Sequence, residues 1–130
     1  MILLCFVTIN KAQGQRDKIE ELRTSFLTKK LDLNSGESEK FWPVYNEFQD
    51  KLKAVKRNLR ATYRNLPPNF TDKEAEEVIA LENKSKLAEA ELTKTYHDKL
   101  KIIIGVKKLV KLQMYEEEFK KEVINAIKEK

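Results

Sequence analysis

His97 is the only histidine in the chain, and the run Tyr96-His97-Asp98 on a helix places an imidazole within reach of Glu91, Asp98 or a carboxylate of another chain. One histidine among carboxylates makes a poorly selective metal site, since zinc and its neighbours need several nitrogen or sulfur ligands. A solvated helix histidine is the simpler reading, and no metal or other cofactor is expected. The carboxylate clusters Glu116-Glu117-Glu118 and Glu74, Glu76, Glu77 read as solvated helix faces with pairs such as Glu116 to Lys120 and Glu117 to Lys121. There is no nucleophile–base pair, glycine-rich phosphate loop or cysteine/histidine cluster. The sequence therefore argues against an enzyme.

Binding chemistry is better represented. Lys51, Lys53, Lys56, Arg57, Arg60 and Arg64 give one helix a strongly positive side, in a chain of formal net charge +5. Such a side raises nucleic acid as a partner. Against it stand the carboxylates dispersed through the chain and the lack of a recognition motif. Trp42, Tyr45 and Phe48 lie near these charges, and Tyr63 and Phe70 lie near the turn that follows. Aromatics at this spacing are mostly core, but any left exposed beside cationic groups suit transient binding of unfolded or acidic polypeptide. The candidate polypeptide-binding set is therefore Trp42, Tyr45, Lys56, Arg57, Arg60 and Arg64.

The elements that carry these residues read as helices. Charged residues make up 36% of 130 residues, against three glycines and three prolines, which favours long solvated helices in a single domain. Ile19, Leu22 and Phe26 predict a short amphipathic helix ending near Leu31. Asn34 and Glu37 form a capping pair that opens a second helix from about Ser35 to Leu66. Its stripe of Phe41, Tyr45, Phe48, Leu52, Val55, Leu59 and Leu66 alternates spacings of four and three. Pro43 falls inside it and should bend it, with Phe41, Trp42 and Tyr45 fastening the first helix over the bend. Pro67-Pro68 stops this helix, and Thr71 with Glu74 repeats the capping logic for a third. Gly105 should close the third helix, with Ile102, Ile103 and Ile104 packing just before it. Leu109, Leu112, Phe119, Val123 and Ala126 then predict a fourth helix, joined by a short link and antiparallel to the third.

The apolar run Ile2 to Ile9 is too short to span a bilayer, which takes about 20 apolar residues. Followed by the polar, glycine-containing stretch from Asn10 to Gln15, it reads as a truncated export signal over residues 1–14, with Ala12 at a cleavable position. Cys5 lies inside it, leaving residues 15–130 as one domain without a thiol.

The Leu-polar-polar start at Leu33-Asn34-Ser35, followed by Phe41-Trp42-Pro43-Val44-Tyr45, resembles the Spy/CpxP-like periplasmic proteins with Leu-Thr-x-x-Gln motifs, especially their small sensor-type members. Asn34 and Thr71 stand at the capping positions of the two motifs, while Ser38 and Ala75 stand where glutamine is usual. The resemblance implies an all-α, four-helix hooked hairpin with two long antiparallel helices and two shorter terminal ones, two chains forming a cradle. It implies an exported, periplasmic binding protein, either an envelope-stress sensor or an ATP-independent chaperone. Its partners would be unfolded protein or an envelope signalling protein, with a homodimer, no nucleic acid and no stable membrane insertion. The alternative from the residues themselves is a helical-bundle adaptor, or a basic protein contacting nucleic acid through Arg57, Arg60 and Arg64.

Overall fold

The computed structural model describes residues 2–129, with side chains described from residue 14 onward. Helices α1 (Ile2–Lys30), α2 (Ser35–Asn65) and α3 (Asp72–Lys128) account for nearly all of them. Among the described residues there is no strand, so the protein is all-α. Three helices are found where four were expected. The polar, glycine-containing stretch Asn10 to Gln15 is helical and continuous with the rest of α1. The side chains that suggested an export signal, Cys5 and Ala12 among them, lie outside the described residues. No helix of the described residues is long and apolar enough to cross a membrane.

The helix ends follow from local chemistry. At the end of α1, the Leu33 amide donates to the Thr28 carbonyl and the Asp32 amide to the Lys29 carbonyl, both at 3.2 Å. This doubly bonded C-terminal cap puts Asp32 in the left-handed region at φ 51°. Three residues of connection later, the Glu37 amide donates to Asn34 Oδ1 at 2.8 Å and the Asn34 amide to Glu37 Oε1 at 3.3 Å. Thr71 and Glu74 make the same reciprocal bonds before α3, each at 3.2 Å. Both predicted capping boxes are therefore in place. Helix α2 stays helical through Pro43 and ends at Asn65, ahead of Pro67-Pro68.

Gly105 interrupts helical geometry for a single residue, with φ 83° and ψ 163°, and helix resumes at once. That is a break without the expected link. The helical turns after it pack against α1.

The chain forms two compact units, Met1–Ser38 with Val106–Lys130, and Glu39–Gly105. In the first, α1 and the end of α3 run antiparallel, since Phe26 meets Phe119 at a ring separation of 5.4 Å and Lys30 meets Glu118 at 3.5 Å. Its core is Leu27, Leu31, Leu109, Leu112 and Phe119. Of the expected stripe of Ile19, Leu22 and Phe26, Phe26 meets Phe119 as its position requires, whereas Leu22 is 53% exposed and the buried pair Leu27 and Leu31, one turn apart, completes the face toward α3. In the second unit α2 and α3 run antiparallel, as Phe48 stacks on Tyr96 at 5.1 Å and Tyr63 reaches Glu82. Phe41, Tyr45, Phe48, Val78, Tyr96, Leu100 and Ile104 are buried there. Burying side chains of this size is worth roughly 1.5–3 kcal/mol each, which is what holds so highly charged a chain together.

Candidate functional site

The second half of α2 is one of two long basic stretches without a carboxylate, the other running from Lys99 to Tyr115. From Lys51 to Thr71 the sequence holds six basic residues and no carboxylate. Lys56, Arg57, Arg60 and Arg64 are exposed, and none of the four makes an ion pair with a described residue. Their spacings of three, four and seven place them along one side of the helix. The buried positions Phe41, Tyr45 and Phe48, continued by half-buried Leu52, Val55 and Leu59, occupy the neighbouring face. The sequence thus puts apolar residues toward α3 and leaves the cations to solvent.

The aromatic members of the candidate set are placed differently. Tyr45 is only 3% exposed and stacks on Phe41 with ring centres 5.2 Å apart, so it belongs to the packed interior of this unit. Trp42 is half-buried and meets Phe41 and Tyr45 edge-on at 4.8 and 5.4 Å. Trp42 and Arg60 lie about five turns apart at 3.6 residues per turn and so share a side of α2. The aromatics left most open near the cations are Tyr63, 48% exposed, and Phe70, 50% exposed. The Tyr63 hydroxyl donates to Glu82 Oε2 at 3.0 Å. That bond, with Lys86 at 3.3 Å, holds the Glu82 carboxyl below the usual carboxylate range and raises the Tyr63 phenol.

Two constellations were not foreseen from the sequence. Tyr96 is buried between α2 and α3 with Phe48 stacked on it and the ammonium groups of Lys51 and Lys99 over its ring at 5.3 and 4.7 Å. Its hydroxyl has no partner in hydrogen-bond geometry, but it lies close enough to Glu47 and Lys51 to bias both. The hydroxyl, and then the Glu47–Lys51 ion pair at 3.5 Å, lowers the Glu47 carboxyl and raises the Lys51 amine. The second constellation is Lys108, whose ammonium donates to Glu37 Oε1 and Oε2 at 3.0 and 3.2 Å and to the Asp32 carbonyl at 3.2 Å. One lysine thus ties the α1–α2 corner to α3. It holds the Glu37 carboxyl below its ordinary value, with the Asn34 amide contributing next.

His97 is half-buried, its ring centre 6.2 Å from that of Phe48, in a shallow open trough that also includes Lys94 and Asp98. Among the described residues no three histidine, cysteine, aspartate or glutamate side chains are arranged to hold a metal ion. Glu118 pairs with Lys30, while Glu117 makes no ion pair with Lys121.

No known family model matches the chain, and neither a curated protein nor a solved structure matches it significantly.

Proposed function

We propose that this chain is a non-enzymatic binding protein that captures acidic or unfolded polypeptide on the cationic side of α2. The observation that carries the reading is the carboxylate-free run from Lys51 to Thr71, with Lys56, Arg57, Arg60 and Arg64 exposed and without ion pairs. Cations left without partners give long-range attraction to an anionic chain, while Tyr63, Phe70 and the open part of Trp42 supply apolar contact that slows its release. The resemblance to the Spy/CpxP-like proteins extends the proposal to an exported, periplasmic protein with a hooked helical hairpin, dimeric, and acting as an ATP-independent chaperone or a sensor of envelope stress. In this reading the protein neither inserts stably in the membrane nor binds nucleic acid.

The test is suppression of aggregation of an acidic unfolded protein, followed by light scattering. Reversing Lys56, Arg57 and Arg60 to glutamate should slow capture and flatten its salt dependence while leaving helix content unchanged. Exposed charges are screened beyond about 8 Å at physiological salt, so the unmodified protein should lose capture rate as salt rises. Failure to suppress aggregation of any such client would leave the adaptor reading. Tight, salt-sensitive binding of an RNA or DNA duplex, abolished by the same reversals, would favour the nucleic-acid reading. Fractionation of cells with N-terminal sequencing of the mature chain tests export.

A further inference from the structure

Helix α3 beyond Gly105 has a second apolar face. Leu109, Leu112 and Phe119 are buried against α1, yet Val106, Val110 and Met114 on the other side are 58, 56 and 62% exposed. Lys107, Val110, Met114 and Glu117 follow one another at spacings of three, four and three, which is the seam of an antiparallel helix pair. Lys107 and Glu117 are exposed and make no ion pair with a described residue.

We infer that this face is the contact between two copies of the chain, paired antiparallel about a two-fold axis at residue 112. The argument is charge complementarity. The order of the seam reads cation, apolar, apolar, anion, and it is symmetric about position 112. Antiparallel pairing therefore sets Lys107 of each copy against Glu117 of the other, with Val110 against Met114 between them. Parallel pairing in register would set Lys107 against Lys107 and Glu117 against Glu117. In a two-fold contact each residue pair occurs twice, giving two Val110–Met114 contacts and two Lys107–Glu117 ion pairs. The seam is about 15 Å long at 1.5 Å per residue, which places it among weak, reversible interfaces rather than obligate ones. This gives the dimer of the proposed function a surface, separate from the cations of α2.

Sedimentation of the full chain across the micromolar range, with circular dichroism to confirm folding, tests the inference. The unmodified protein should dimerise reversibly. Lys107→Glu alone and Glu117→Lys alone should each weaken the dimer on the order of tenfold, because each places like charges opposite one another. The double swap should restore it to within about threefold, since it exchanges the partners without losing the pairing. Both residues are exposed, so the variants should fold. A dimer indifferent to the single reversals would overturn this surface while leaving dimerisation itself intact. A chain monomeric throughout would overturn both, and polypeptide capture by α2, read separately by light scattering, would still stand or fall on its own.

Discussion

Replacing Gly105 by alanine should destabilise the protein, and the sign of that change separates two accounts of α3. At φ 83° and ψ 163° Gly105 occupies backbone space that is essentially glycine's alone. A Cβ built there meets nothing within 4 Å, so the cost is not a clash with neighbouring groups but the strain of a side chain on its own backbone. That strain is on the order of 1–3 kcal/mol, which for a chain of this size lowers the melting temperature by roughly 4–12 °C. Were α3 simply a continuous helix through this position, alanine would instead stabilise by about 1 kcal/mol, because glycine is a poor helix former. Thermal and urea melts of Gly105→Ala measure the difference. A semisynthetic chain with D-alanine at 105 is the matching control, because the mirror image of this conformation is ordinary extended backbone. It should keep or raise stability, by roughly 0.4–1 kcal/mol through a less flexible unfolded chain. An L-alanine variant as stable as the parent, with a D-alanine variant less stable, would refute the argument.

Asp32→Gly should stabilise by about 0.5–1 kcal/mol, because the left-handed position after α1 suits glycine and the Lys108 contact is to the backbone carbonyl, which glycine retains; the urea midpoint reads it. Glu37→Gln should lower the melting temperature at neutral pH and remove part of its acid dependence. The Glu37 carboxyl is held below its ordinary value in the folded chain, so its contribution is present above the ordinary carboxylate range and disappears as pH falls through the lowered folded value. Melting curves of the parent and variant should therefore converge in acid and separate toward neutrality. Tyr96→Phe should let the Glu47 carboxyl return toward its ordinary range while keeping the stack on Phe48; a Glu47 carboxyl that titrates unchanged by NMR in the variant would show that the hydroxyl does not act on it.

What the sequence made legible was whatever local chemistry decides. Asn34 with Glu37 and Thr71 with Glu74 predicted two helix starts because a cap and its reciprocal carboxylate lie within four residues of each other. The α2 stripe was readable for the same reason, a periodicity within one helix. Gly105 was recognised as a break but not as one that spans a single residue, because glycine permits several positive-φ conformations and only the packing on either side selects among them. On α1 Phe26 was placed on the packed face, but Leu22 was not part of it and the buried pair Leu27 and Leu31 was missed, since which flank of a weakly patterned helix is buried depends on a partner far along the chain. Lys108 left no signal: its bonds to Glu37 and Asp32 bridge segments that no local spacing connects. Of the candidate site, the exposure of Lys56, Arg57, Arg60 and Arg64 was legible from the stripe beside them. The burial of Tyr45 followed from that same stripe and removes it from any surface.

The cationic run of α2 bears a cost in like-charge repulsion, one that Lys107 and Lys111 of α3 share. Lys56 and Arg60, and Arg60 and Arg64, are like-charge pairs one turn apart, each disfavouring the helix by roughly 0.2–0.5 kcal/mol. Other lysines sit against carboxylates, Lys51 against Glu47, Lys86 against Glu82 and Lys30 against Glu118. Between Lys51 and Thr71 a glutamate on the exposed side of α2 would relieve the repulsion without disturbing the buried stripe, yet none is present. A local rule broken without a compensating contact inside the fold is expected where the compensation comes from a ligand. An anionic partner laid along α2 would supply it, and in doing so should raise the helix stability of this segment more than that of any other part of the chain.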